Sequence, residues 1–119
     1  MTVSVTDTTS LGAKLVQDTQ ANGTVAANTT GGSGTLYGVE IINPNASAVY
    51  FKLANALTAT PGTTAADVVL FCPASSTQNY SFVSGLAFST GFSHWCVTAA
   101  AESNTTNPGS SVTVRYVTS

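Results

Sequence analysis

The stretch TLYGVEIIN (Thr35–Asn43), the break Pro44-Asn45-Ala46 and the run SAVYFKLA (Ser47–Ala54) decide how this chain is read. Both runs are rich in Val, Ile, Tyr and Phe and alternate apolar with polar or small residues, which predicts a β-hairpin around the Pro-Asn-Ala turn. Alternation sets Tyr37, Val39 and Ile41 on one inward face with Val49, Phe51 and Leu53. Glu40 and Lys52 then share the outer face, within reach of a diagonal cross-strand pair.

Working outward, the same chemistry recurs at 66–72, 78–83, 93–98 and 111–117. In the last of these, Val112, Val114 and Tyr116 alternate with Thr113, Arg115 and Val117. Pro61-Gly62, the glycines Gly85 and Gly91, and Asn107-Pro108-Gly109 punctuate the runs as turns. Helical periodicity is nearly absent, so no crossover helices exist to make parallel pairs. The expectation is an all-β single domain, an antiparallel β-sandwich of jelly-roll-like form.

The first 34 residues differ in character. Val3 and Val5 alternate with Thr and Ser, Leu11, Ala13 and Leu15 alternate again, and residues 20–34 turn polar and rich in Gly, Asn and Thr. Two readings fit: an N-terminal arm with a flexible connector that packs on a neighbour, or the first strand and loop of the same sandwich. On the first reading the chain divides into 1–34 (strand, arm and connector) and 35–119 (β-sandwich).

The surface is unusual. Three basic and five acidic side chains serve 119 residues, for a net charge of −2, so solvation falls to hydroxyls and amides. Such a chain offers no footprint for phosphates, which argues against nucleic acid. Weak long-range repulsion between copies suits self-association. The start MTVSVTDTTS has no signal-peptide pattern, and the apolar run Val68–Cys72 is too short to span a bilayer, so a soluble chain with no membrane partner is expected. No cofactor is expected either: Gly31–Gly34 neither follows a convincing strand nor opens a helix, as a phosphate-binding loop would.

The chemistry concentrates in Ser93-His94-Trp95-Cys96-Val97, which holds the one His, the one Trp and one of two Cys. His94 and Cys96 share a strand face at roughly 6–7 Å between Cβ atoms, but no third group to orient a base is visible. A zinc site would have to recruit Cys72 and an acid, without any ligand spacing that supports it. Cys72 and Cys96 are read as two buried thiols, with a disulfide between them as the alternative. Trp95 and Val97 fall on the opposite face and are assigned to the core with the six residues above. No catalytic, metal or cofactor residue is assigned. Trp95→Ala is expected to destabilise, and His94→Ala to leave function nearly intact.

A resemblance adds to this. The order of Val49–Leu53, Thr60-Pro61-Gly62-Thr63-Thr64, Asp67–Pro73, Phe82–Gly91, Thr98–Thr106 and a strand ending near Tyr116 resembles small β-rich structural proteins of tailed bacteriophages, among them capsid decoration or cement proteins. It covers residues 35–117. It implies a non-enzymatic virion protein, made in the host cytoplasm, that sits on the capsid exterior and clamps neighbouring subunits of the major capsid protein. It also implies a homo-oligomer, a trimer before a dimer. The alternative function is a carbohydrate- or receptor-binding module of a phage fibre or secreted enzyme, with Trp95 and Tyr50 as the deciding residues.

Overall fold

The structure, a computed structural model, describes residues 3–8 and 13–119, with backbone alone for 7 and 8; Leu11 lies outside the described residues. Eight strands are present among them: β1 (Val3–Thr8), β2 (Ala13–Ala21), β3 (Gly34–Asn43), β4 (Val49–Asn55), β5 (Val68–Cys72), β6 (Ser76–Phe88), β7 (Phe92–Val97) and β8 (Val112–Thr118). They form two antiparallel sheets, β1-β2-β8-β3-β6 and β5-β4-β7, packed as a β-sandwich.

The alternating apolar residues meet between the sheets. Val16, Leu36, Val39, Ile41, Val112, Val114 and Tyr116 from the larger sheet pack on Val49, Phe51, Leu53, Leu70, Phe92 and Cys96 from the smaller. Phe88 stacks on Phe92 with ring centroids 4.5 Å apart. Removing this apolar area from water is the main favourable contribution to folding.

Thr35–Ala54 is not a hairpin. β3 pairs with β6 and β8, whereas β4 pairs with β5 and β7, so the Pro44 segment crosses from one sheet to the other. Apolar alternation only requires that both inward faces meet, and stacking across a sandwich satisfies this as well as pairing side by side. Asn43 holds the crossing: buried at the end of β3, its Nδ2 donates to the carbonyls of Ser47 and Pro73, each at 3.0 Å. Glu40 and Lys52 are therefore separated. Glu40 pairs with Arg115 at 2.6 Å on the outer face of the larger sheet, and Lys52 is buried, its Nζ donating to the Ala101 carbonyl at 2.8 Å.

Tyr37 is a second correction. Leu36 and Gly38 of β3 face Thr118 and Val117, two consecutive positions of β8, so Tyr37 is an extra residue in a bulge. The bulge resets the alternation: Leu36 and Val39 both point inward, and Tyr37 is 43% exposed. Opposite it, β6 runs on through Gly85, where a turn was expected. Gly85 has φ +74° and faces the Thr35 and Tyr37 side chains so closely that a Cβ would collide with Thr35.

Residues 13–34 do not form a separate arm. β2 lies between β1 and β8, with Val16 and Asp18 fully buried. The segment after β2 caps the outer edge of β7 through a bridge between Ala26 and His94, with Cys96 N donating to the Asn22 carbonyl at 2.8 Å.

Candidate functional site

β7 is the strand on which the reactive side chains converge, and every residue in it is buried. Alternation divides it. Phe92, His94 and Cys96 face the other sheet; Trp95 and Val97 face outward into a second apolar cluster with Ala54 and Ala59, against which Val25, Ala56 and Ala66 pack. Trp95 is 1% exposed, and its Nε1 is buried without a hydrogen-bond partner.

On the inward face, His94 lies in a continuous polar chain. Its Nε2 is 2.8 Å from Asp18 Oδ2, its Nδ1 is 2.9 Å from the Tyr116 hydroxyl, and that hydroxyl is 2.6 Å from Thr29 Oγ1. The second oxygen of Asp18 accepts the Gln20 backbone N–H at 2.9 Å, within the β2 irregularity between Asp18 and Ala21. Asp18 and His94 are fully buried and Tyr116 is 1% exposed. The chain joins β2, β7, β8 and the segment after β2, and so spans both sheets.

In a neutral imidazole the carboxylate fixes the proton on Nε2, leaving Nδ1 to accept the Tyr116 O–H. This is the geometry of an oriented base, with a phenol where a nucleophile would stand. The phenol is poorly suited to react: burial pushes its pKa up, a shift that the Thr29 hydrogen bond opposes and the Asp18 charge reinforces. Surface hollows of about 350, 340, 280 and 130 Å³ are present, and none is lined by Asp18, His94 or Tyr116. A substrate reaching this chain would have to part the sheets.

The thiols are equally enclosed. Cys72 and Cys96 are free and buried. Cys72 Sγ lies 3.6 Å from the Ile41 carbonyl and 3.5 Å from that of Ser76. Burial pushes the Cys96 thiol up to about 12, with the Cys72 and Asp18 charges adding to the shift, and burial likewise raises Cys72. Neither is an activated thiolate at neutral pH. Among the described residues, no group of three His, Cys, Asp or Glu side chains is placed to hold a metal ion.

Among the described residues the acidic side chains are scattered, and no two of them form a pair. Asp18 is in the core, Glu40 is on Arg115, and Asp67 accepts the Asn55 backbone N–H at 2.6 Å. Glu102 acts electrostatically on Lys52, whose pKa is lowered by burial and raised in part by that carboxylate. The Asp7 side chain lies outside the described residues.

Sequence reasoning missed Asp18, Thr29 and Tyr116 as partners of His94. A usable signal existed: Val16 and Asp18 share parity on β2, which places a carboxylate inward, where it needs a partner. That partner is 76 residues away, which no local pattern reveals.

Comparison with protein-family models, with curated proteins and with solved structures finds no match in any of the three.

Proposed function

We propose that the protein is a non-enzymatic structural component that binds the outer surface of a phage head and cements neighbouring major capsid subunits. The capsid target comes from the resemblance over residues 35–117. The mode of action is supported by one contrast: His94, Asp18, Tyr116 and both thiols are sealed inside, while the accessible surface offers apolar and hydroxyl groups.

The exposed side of β5 supplies such a surface. Val69 and Phe71 are 42% and 43% exposed, and Phe71 packs on Tyr50 at 5.4 Å between ring centroids. Contacts of this type lose little to salt, because they do not depend on long-range charge. Several copies acting together raise avidity without a large area per contact. Phe71→Asp is the test: it is expected to abolish binding to expanded phage heads in a co-sedimentation assay while leaving the thermal midpoint near wild type. Undiminished binding rejects this surface, and failure of the wild-type chain to co-sediment rejects the capsid reading.

The glycan-binding alternative rests on the same rings. Trp95 is buried and cannot stack on a sugar, so Tyr50, Phe71 and the exposed Tyr37 are its platform residues. Saturable chemical-shift changes at these residues on a glycan array hit would favour it over cementing.

A further inference from the structure

The geometry points to β1 as a self-pairing edge through which two copies join their five-stranded sheets into one continuous ten-stranded sheet. This contact concerns how copies join one another and does not depend on the capsid reading.

The other sheet edges are managed. The outer edge of β7 is bonded to residues 22–29, with Ala26 N to the His94 carbonyl at 2.8 Å and Thr29 N to that of Phe92 at 2.9 Å. β5 turns its edge to β6, where the Tyr80 hydroxyl donates to the Phe71 carbonyl. β6 carries the irregularity at Phe82–Gly85, which breaks regular pairing. β1 has none of these devices. Among the described residues nothing bonds to its outer edge, and VSVTDT contains no Lys or Pro to repel a partner strand.

A row of free backbone N–H and C=O groups is complementary to another strand, and the side chains favour a copy of the same strand. Val3 and Val5 pair with Asp18 and Val16, so they lie on the inward face of the sheet. The smaller sheet has only three strands and does not cover them: Val3 is 36% and Val5 42% exposed. A twofold axis normal to the sheet keeps inward faces together, which requires an antiparallel register in which paired residue numbers sum to an even value. Centring the axis on Ser4 sets Val3 against Val5 of the second copy and Val5 against its Val3, gathering four valines. It also leaves the strand's one charge, Asp7, far from its own mate. A twofold contact gives a dimer, where the resemblance implied a trimer first.

Sedimentation equilibrium of the full chain and a disulfide scan test this together. Ser4 sits on the axis, with Cα atoms about 4.5–5.5 Å apart, inside disulfide range. Thr6 is displaced from its mate by four residue rises, about 13 Å. The wild type is expected to sediment as a dimer, and Ser4→Cys to cross-link under mild oxidation while Thr6→Cys does not; the native thiols are buried and do not compete. Val3→Lys/Val5→Lys is expected to sediment as a monomer that keeps the wild-type far-ultraviolet circular dichroism, since both side chains are exposed in the single chain. A wild-type monomer, or a dimer that survives the double lysine variant, overturns the proposal. Cross-linking of Thr6→Cys as efficient as that of Ser4→Cys overturns the register. These results stand whether or not the chain binds phage heads.

Discussion

The two faces of β7 solve the same burial problem in opposite ways. Outward, Trp95 and Val97 sit among alanines under loops, and the indole N–H is left without a partner. Inward, His94 is bonded at both nitrogens, to Asp18 and to Tyr116, and the chain continues to Thr29. Adjacent residues on one strand thus depend on apolar area in one direction and on a satisfied polar network in the other. Each unusual side chain of this stretch is enclosed by its own environment, His94 by hydrogen bonds and Trp95 and Cys96 by burial.

Substitutions should separate the two faces, and the largest effects come first. Trp95→Ala removes a large buried side chain and is expected to cost about 3–5 kcal/mol in urea unfolding. Trp95→Phe should recover most of that loss, because the indole N–H has no bond to lose. His94→Ala is expected to cost about 3–5 kcal/mol as well, since it leaves the Asp18 carboxylate buried without its main partner. The two sites then part company: Asp18→Leu/His94→Leu is expected to be far less destabilised than Asp18→Leu or His94→Leu alone. The expectation that His94→Ala leaves function nearly intact therefore applies only at temperatures where the variant stays folded.

Tyr116→Phe keeps the ring and removes the hydroxyl that joins His94 to Thr29. A loss of about 1–3 kcal/mol is expected from the unsatisfied partners, with no comparable change on the Trp95 face. Equal losses of indole fluorescence and of far-ultraviolet circular dichroism at lower urea would show that the whole fold responds. Loss of one signal alone would show that the two clusters melt separately.

Alkaline pH addresses the inward face by another route. Cys96 is raised from 9.0 to about 12 by burial, so the folded state keeps a proton that the unfolded chain releases. Stability from this thiol is complete below pH 9 and is lost as pH rises towards 12; the raised Tyr116 phenol acts in the same direction above its ordinary value. Lys52, lowered by burial, acts oppositely just below 10.5. The thermal midpoint is expected to fall above pH 9, and Cys96→Ala to make that fall shallower. An identical pH profile in the variant would contradict the assignment. The smallest effect belongs to the outer face of the larger sheet: Arg115→Ala breaks a half-exposed pair with Glu40 and should cost about 0–1 kcal/mol.

The same contrast explains what could be read from the sequence. Val112, Val114 and Tyr116 declared their inward face, as did Val49, Phe51 and Leu53, because a half-buried strand must alternate. Which strands pair was not legible: Ile41 and Phe51 carry the same pattern whether their strands lie side by side or face each other. Tyr37 was misplaced by one bulge, which resets parity without a local marker beyond the glycines around it. The polar chain was hidden for a related reason. Asp18 has inward parity with Val16, but its partner is 76 residues away, and Thr29 lies in a polar Gly-, Asn- and Thr-rich stretch with no alternation to place it.

Asp18 and His94, fully buried and 2.8 Å apart, are placed to act as one strut between the sheets. A double-mutant cycle on Asp18→Ala and His94→Ala by urea unfolding tests it most directly. Each single variant is expected to lose about 3–5 kcal/mol, and the double variant little more than either one. Losses that simply add, within about 0.3–0.5 kcal/mol, would mean the two side chains act independently and would contradict it.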